Sequence, residues 1–380
     1  MSEGATERAQ TAIHDAQLPV SASANAHERY LAQRQFGSLD GLRCLAILPV
    51  VWHHSTPRPL PGIWGKGPAG VDLFFCISGF LITTLLLREK ARTGSVALAA
   101  FYARRALRIL PLYYAMLLAY LGFALALPAE AAQRAHFLRT LPWYASFTAN
   151  WFADFGVSHA ILFSFAWSLC IEEQFYAFWP AIVRAFSARW AAIAMGALLV
   201  VDYCAEQSAL GGYSRRIVTS FAAPIGLGAL LALMLDTRVV FNALSRVFER
   251  AWLAPLTLAT VFALLLWGAA PLLLFQASLA MLVCSCVIFE DHGLAWLLRA
   301  RAVRWVGAIS YGLYLLNSTA IGLVRRALPE HATDSGFVFF ASLPLALALA
   351  ALSHRYFEAP FMRLRDRFRA GPQSELASQK

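Results

Sequence analysis

The chain has 380 residues, of which 59% are hydrophobic and only 14% are Asp, Glu, Lys or Arg, against about a quarter charged in an average soluble domain. With a net charge of +10 but so few charges to coat a surface, it cannot be an ordinary cytosolic enzyme, a disordered protein or a secreted disulfide scaffold. Apolar helices of roughly 20 residues cross a bilayer, so the composition points to an all-α polytopic membrane protein with the lipid bilayer as its surroundings.

Residues 1–35 are polar, Ala-rich and aperiodic. They lack the basic segment and adjoining apolar stretch of a signal peptide and read as a disordered cytoplasmic tail. Ten candidate spans follow, at about 41–56, 70–88, 106–127, 165–184, 190–206, 217–235, 251–267, 271–289, 305–323 and 336–356. The first is the shortest and contains Pro49, which is expected to kink it. The seventh and eighth are separated only by Gly268, Ala269 and Ala270, which predicts a tight hairpin. The longest internal loop, about 128–164, carries Trp143, Tyr144, Trp151 and Phe152, aromatics that favour a membrane interface. Residues 36–362 thus read as one membrane domain without an internal repeat, and 363–380 as a basic, then polar, cytoplasmic tail.

Alternating the ten spans with the amino terminus inside assigns 24 of the 32 Lys and Arg residues to the inner side and 8 to the outer. The positive-inside bias then puts both termini in the cytoplasm. The same bias accounts for the net charge, so no nucleic-acid partner is expected. Cys44, Cys76, Cys170, Cys204, Cys284 and Cys286 fall in or beside apolar runs without zinc-ligand spacing. Buried free thiols are expected, and no metal site.

Ionisable groups inside a bilayer are costly and mark candidate sites. They are Asp40, Arg43, His53, His54, Asp72, Glu172, Glu173 and Asp202. His54 lies roughly 18 Å along the first span, hence about 12 Å below the outer face of a core of about 30 Å. Glu172, on a span running the other way, lies roughly 10 Å deep. The two can share a level, and a histidine beside a carboxylate suits proton abstraction from a hydroxyl. The plainer alternative, an interfacial histidine with a hydroxyl partner, stays open. Ser168, Glu172 and Tyr176 are spaced four apart and form one polar stripe, whereas Glu173 points about 100° away. Glu173, Ser168, Tyr176, Asp72, Asp40 and Arg43 are therefore taken as supporting groups around a His54–Glu172 pair. Arg104, Arg105 and Arg108 fall within an arc of about 100° on a helix, and clustered guanidinium forks suit phosphate oxygens. Ordinary positive-inside anchoring would also explain them.

Leu39-Asp40-Gly41-Leu42-Arg43 leading to His54-Ser55 resembles the first-helix signature of the integral-membrane acyltransferase-3 family. Gly70-Val71-Asp72-Leu73-Phe74-Phe75 resembles its second-helix signature, and Arg105-Ala106-Leu107-Arg108 its Arg-x-x-Arg motif. Trp167 to Tyr176 resembles its paired-glutamate segment, and Ser310-Tyr311-Gly312-Leu313-Tyr314 and Phe357-Glu358-Ala359-Pro360 its closing motifs. The six run in order from about 36 to 362.

The resemblance implies transfer of an acyl group, commonly acetyl, from acyl-coenzyme A to a hydroxyl of a carbohydrate or lipid-linked glycan. It implies a multi-pass protein of a bacterial inner membrane and no bound cofactor beyond the acyl-CoA donor. It gives the catalytic role to His54 and the coenzyme motif to Arg105 and Arg108; with the residue reading above, Glu172 is taken as the catalytic partner of His54, and Arg104 as joining Arg105 and Arg108 on the coenzyme. His54 rather than His53 keeps the family's eleven-residue spacing from Arg43. Asn317 stands where the family often has a histidine. Some members add a hydrolase-like domain, for which this chain leaves no room. Direct transfer is the default expectation, with Ser55 as a covalent alternative. The rivals are a proton-coupled transporter of a small solute or glycan precursor and a partner of a polysaccharide-assembly complex without chemistry of its own.

Overall fold

The structure is a computed structural model that describes residues 25–33, 35–56, 65–154, 163, 165–208, 211–218, 220 and 223–368. The described residues are helical in the order α1 (Ala26–Ala32), α2 (Gly37–Ser55), α3 (Ala69–Thr93), α4 (Leu98–Ala126), α5 (Ala132–Ala145) and α6 (Ala149–Phe152). Next come α7 (Ala166–Ala185), α8 (Ala188–Gln207), α9 (Gly212–Val218), α10 (Ala223–Asp236), α11 (Arg238–Phe248) and α12 (Leu253–Trp267). The last are α13 (Leu272–Ile288), α14 (Ala295–Leu298), α15 (Arg301–Ala308), α16 (Ser310–Ala327), α17 (Ser335–Leu352) and α18 (Ala359–Asp366).

The all-α class stands, but the expectation of about ten transmembrane helices does not. Among the described residues four helices are long and apolar enough to cross a membrane: Ala69–Thr93, Leu98–Ala126, Ala188–Gln207 and the continuous Ser335–Asp366. The number rises to six at most, if the pairs α10–α11 and α15–α16, bent by 105° and 74°, each make one span. The physical reasons differ by segment. Helix α2 carries Asp40, Arg43, His53 and His54, and α7 carries Glu172, Glu173 and Gln174, so both are too polar to face lipid alone. Helices α12 and α13 have 15 and 17 residues, short of the roughly 20 that a bilayer needs. Without ten crossings the alternation of inner and outer loops loses its premise, and the cytoplasmic placement of both termini falls with it.

Other expectations change locally. The segment 128–164 contains α5 and α6 rather than an open loop. Part of the expected amino-terminal tail belongs to the fold. Asn25 and Glu28 form a capping box on α1, and Tyr30 is buried. The Arg88 guanidinium donates to the Tyr30 and Gln33 carbonyls and stacks on the Tyr30 and Phe36 rings. Residues 363–366 of the expected carboxyl tail continue α18. Residues 1–24 and 369–380 of the two tails lie outside the described residues. Cys204 is exposed, whereas the other five thiols are buried. The hairpin between α12 and α13 forms as expected, with Gly268 at φ +70° in the left-handed region that glycine tolerates.

The core is assembled by close helix crossings. A Cβ on Gly79 of α3 would land on the carbonyl oxygen of Ile225 in α10, and one on Gly228 of α10 on that of Cys76 in α3. Small residues let the backbones touch, and dispersion contacts replace the missing hydrophobic drive between helices in lipid. Helix α2 is enclosed in the same way, Gly70 of α3 lying on the Ala46 carbonyl and Gly307 of α15 on the Asp40 carbonyl. Leu42, Ile47 and Val51 of α2 are fully buried as a result. At its start, Ser38 Oγ contacts His292 Nε2 at 2.9 Å, and burial and the nearby Arg299 push His292 down to about 4, so it is neutral at pH 7.

Gly79→Val and Gly228→Val should each destabilise the protein by about 1–3 kcal/mol or more through overpacking. Gly196→Ala in α8, where a Cβ meets nothing within 4 Å, should leave the melting temperature unchanged or raised. Thermal unfolding in detergent measures all three, and unchanged melting of the valine variants would contradict the close crossing.

Candidate functional site

Five helices converge on one half-open cavity of about 90 Å³, well above the roughly 10–15 Å³ that a single water needs. Helix α2 contributes Arg43; α3 contributes Phe74, Phe75 and Ser78; α4 contributes Arg105 and Arg108. Helix α7 contributes Ser168, Glu172 and Tyr176, and α16 contributes Ser310, Tyr311 and Tyr314. The four-residue spacing of Ser168, Glu172 and Tyr176 turns all three to the cavity, as expected for one helical stripe.

The hydrogen bonds tie these helices to one another. The Tyr176 hydroxyl donates to Glu172 Oε1 at 2.6 Å, and Ser168 Oγ and the Tyr314 hydroxyl share a 2.6 Å bond between α7 and α16. The Tyr311 hydroxyl donates to the Ile109 carbonyl of α4 at 2.7 Å. Arg105 lies over the Tyr176 and Phe101 rings at 5.5 and 5.8 Å. Glu172 and Glu173 attract it electrostatically. Glu173 is turned away from the cavity, and its Oε1 is buried without a hydrogen-bond partner.

The cavity is rich in cations. Arg43, Arg105 and Arg108 line it, and Arg43, Arg105 and Arg365 all repel Arg108. Among the described residues no carboxylate lies within ion-pairing distance of Arg105 or Arg108. Among the described residues Arg43 pairs only with Asp40, at 3.3 Å and partly exposed, a contact of small worth. Arg104 does not join the other two. It forms an ion pair with Glu89 at 3.0 Å and donates to the Phe368 carbonyl. Arg365, from the distant carboxyl end, was not singled out in the sequence; no spacing links it to Arg108.

His54 stands apart from Glu172. Its Nδ1 makes a 2.6 Å hydrogen bond with Asn317 Oδ1 of α16, and no bond between His54 and Glu172 occurs. Asn317 is fully buried and sits three residues beyond Tyr314, so His54 lies roughly 4.5 Å along α16 from the cavity lining. The spacing of Ser310, Tyr311, Tyr314 and Asn317 on one helix was the available signal for this face. The Ser55 hydroxyl is buried and donates to the Val51 carbonyl at 2.8 Å. Asp72 lines a different cavity, with Lys66, Leu264 and Phe275 between α3 and the α12–α13 hairpin. Asp202, on α8, is buried and its Oδ1 has no hydrogen-bond partner. Among the described residues no group of three or more His, Cys, Asp or Glu could hold a metal ion.

Fold and site together define a helical membrane protein with an arginine-lined cavity and a held histidine one helical turn beyond it. Residues 36–355 match the family described as an acyltransferase domain, and the chain belongs to that family. It is 28% identical over 360 residues to a peptidoglycan O-acetyltransferase of Listeria monocytogenes serovar 1/2a, covering 86% of this chain and 56% of that protein. It is 27% identical over 371 residues to a candidate O-acetyltransferase of Staphylococcus aureus (strain COL), covering 88% and 58%. A candidate peptidoglycan O-acetyltransferase of Bacillus subtilis (strain 168) is 28% identical over 365 residues, covering 88% and 55%. The chain thus spans little more than half the length of these relatives. No solved structure matches it.

The cation-rich cavity should bind a small polyanion. Pyrophosphate should raise the melting temperature of purified protein in nanodiscs, and Arg105→Gln or Arg108→Gln should abolish that rise. Arg104→Gln should keep it, because Arg104 serves Glu89. Loss only in the Arg104 variant would show that the cavity arginines do not bind anions.

Proposed function

We propose that the chain is a membrane-embedded O-acyltransferase that moves an acyl group, commonly acetyl, from acyl-coenzyme A to a hydroxyl of a carbohydrate or lipid-linked glycan. It works as a multi-pass protein of a bacterial inner membrane. The family match and the O-acetyltransferase relatives support the chemistry. The observation that carries the reading is that Arg105 and Arg108 of α4, without an ion-pairing carboxylate among the described residues, face one cavity together with Arg43, which shares helix α2 with His54. Clustered, partly buried guanidinium groups short of carboxylate partners are stabilised by an anionic ligand, and coenzyme A supplies phosphates.

Helix α2 acts as a ruler between the two ends. Arg43 and His54 are eleven residues apart, hence about 16 Å along the helix and offset by only about 20° around it. The pantetheine arm from pyrophosphate to sulfur has about 13 bonds, and at about 1.2 Å of reach per backbone-like bond it extends about 16 Å. Phosphates held by Arg43, Arg105 and Arg108 therefore leave the thioester within reach of His54. Glu172 and Tyr176 steady Arg105 at the phosphate end. His54 takes the proton of the acceptor hydroxyl as it attacks the thioester carbonyl. Ser55 is unsuited to a covalent intermediate, since its hydroxyl is buried and committed to Val51.

His54→Ala should lower transfer from radiolabelled acetyl-CoA by about 10²–10⁴-fold, with membrane expression near normal and His53→Ala milder. Arg105→Lys and Arg108→Lys should weaken coenzyme binding despite keeping the charge, because an ammonium lacks the bidentate fork. Mass spectrometry of surface glycans and lipids from cells with and without the gene identifies group and acceptor. Absence of any acyl mass shift, with an active transport phenotype instead, would sink the enzymatic reading.

A further inference from the structure

We propose that Asn317 is the positioning residue for His54, fixing its tautomer so that Nε2 faces the acceptor hydroxyl with a free lone pair; this rests on the transferase reading above. The amide orientation follows from its surroundings. Asn317 Nδ2 lies 3.1 Å from the Leu313 carbonyl oxygen and 2.5 Å from that of Tyr314. Carbonyl oxygens only accept, so the amide nitrogen must face them and Oδ1 must face His54. Oδ1 also only accepts, so His54 Nδ1 carries the proton and donates across the 2.6 Å bond. The neutral ring then has its lone pair on Nε2, which has no partner among the described residues. Because Asn317 is fully buried on α16, both its own bonds and the ring orientation are shielded from water.

The proton and electron count closes without a further reactant. The acceptor O–H proton moves to Nε2 as its oxygen forms a bond to the thioester carbonyl carbon. The carbon–sulfur bond then breaks, sulfur leaves with the electron pair, and the Nε2 proton passes to it. The Nδ1 proton stays on the Asn317 bond throughout, so His54 ends in the tautomer in which it began. The amide gives His54 direction without a negative charge, the arrangement of a Cys-His-Asn protease rather than of a carboxylate-backed triad.

The test is steady-state transfer by full-length protein in nanodiscs, with acetyl-CoA varied, for wild type, His54→Ala, Asn317→Ala and Asn317→Asp. Asn317→Ala should lower kcat by about 10- to 100-fold, the scale of a misplaced catalytic group, while the KM for acetyl-CoA stays within about threefold. A purely structural role would shift expression and KM as well. Asn317→Asp keeps an oxygen for the Nδ1 proton and, with its second oxygen protonated toward the Leu313 and Tyr314 carbonyls, should recover at least about fivefold of the loss. If Asn317→Ala does not fold, Asn317→Leu, of similar volume, is read in the same way. A folded alanine or leucine variant with kcat within twofold of wild type overturns the proposal, as does equal loss in the alanine and aspartate variants. No transfer by wild type above the His54→Ala background would instead overturn the transferase reading itself.

Discussion

A charge placed inside an apolar bundle must be surrounded by protein, and that constraint organises this molecule. Helix α2 carries Arg43 near one end and His54 near the other, and α7 carries two adjacent glutamates. Neither can present those groups to lipid at a tolerable cost. Both therefore turn those groups inward: α2 packs against α3, α15, α16 and α17, and α7 against α3 and α4, with Trp167 and Phe178 exposed on its other face. These neighbours have to come close, and glycine makes that possible. The Gly70 and Gly307 contacts with α2 bring backbone against backbone at Ala46 and Asp40, on either side of Arg43. The α3–α10 crossing at Gly79 and Gly228 ties the next layer to the first. Bends of 105° at Thr237 and 74° at Ile309 then turn α11 and α15 sharply out of line with α10 and α16.

The parts legible in the sequence were those that helical periodicity or local turn chemistry reports. Ser168, Glu172 and Tyr176 share a face because residues four apart must. Gly268 ends α12 because it accepts a positive φ. Arg105 and Arg108 face one cavity because they are three apart. The count of crossings was not legible, because a run of apolar residues carries no record of a sharp bend and does not distinguish a 15-residue helix from a complete span. The polar residues of α2 and α7 were read as costs within spans, when they are the reason those helices are covered.

Pairings across helices were legible only in part. Depth arithmetic gave His54 and Glu172 a common level, but depth says nothing about azimuth, and His54 faces α16. Arg104 shares an arc with Arg105 and Arg108, yet Glu89, fifteen residues earlier, lies on its side of α4 and takes it. Asn317 was visible only as a departure from a resemblance. Its meaning needed the facing histidine and the two backbone carbonyls that orient its amide.

The division of partners follows from electrostatics. The cavity gathers Arg43, Arg105 and Arg108 with Arg365 nearby and a single lining carboxylate, Glu172. Spending that carboxylate on His54 would leave Arg105 and Arg108 with no lining carboxylate in the absence of ligand. Coulomb energy between buried unit charges scales inversely with the local dielectric, so the guanidinium groups gain more from Glu172 than a neutral imidazole would. A histidine held by an amide has no such need. Asn317 can orient His54 without adding a buried charge, and Glu172 remains beside the cations. The same arrangement keeps the positive field at the end of α2 where phosphates would sit and leaves the His54 end to a neutral hydroxyl. On the proposed transferase reading, polyanion and acceptor would be sorted to opposite ends of one helix by charge.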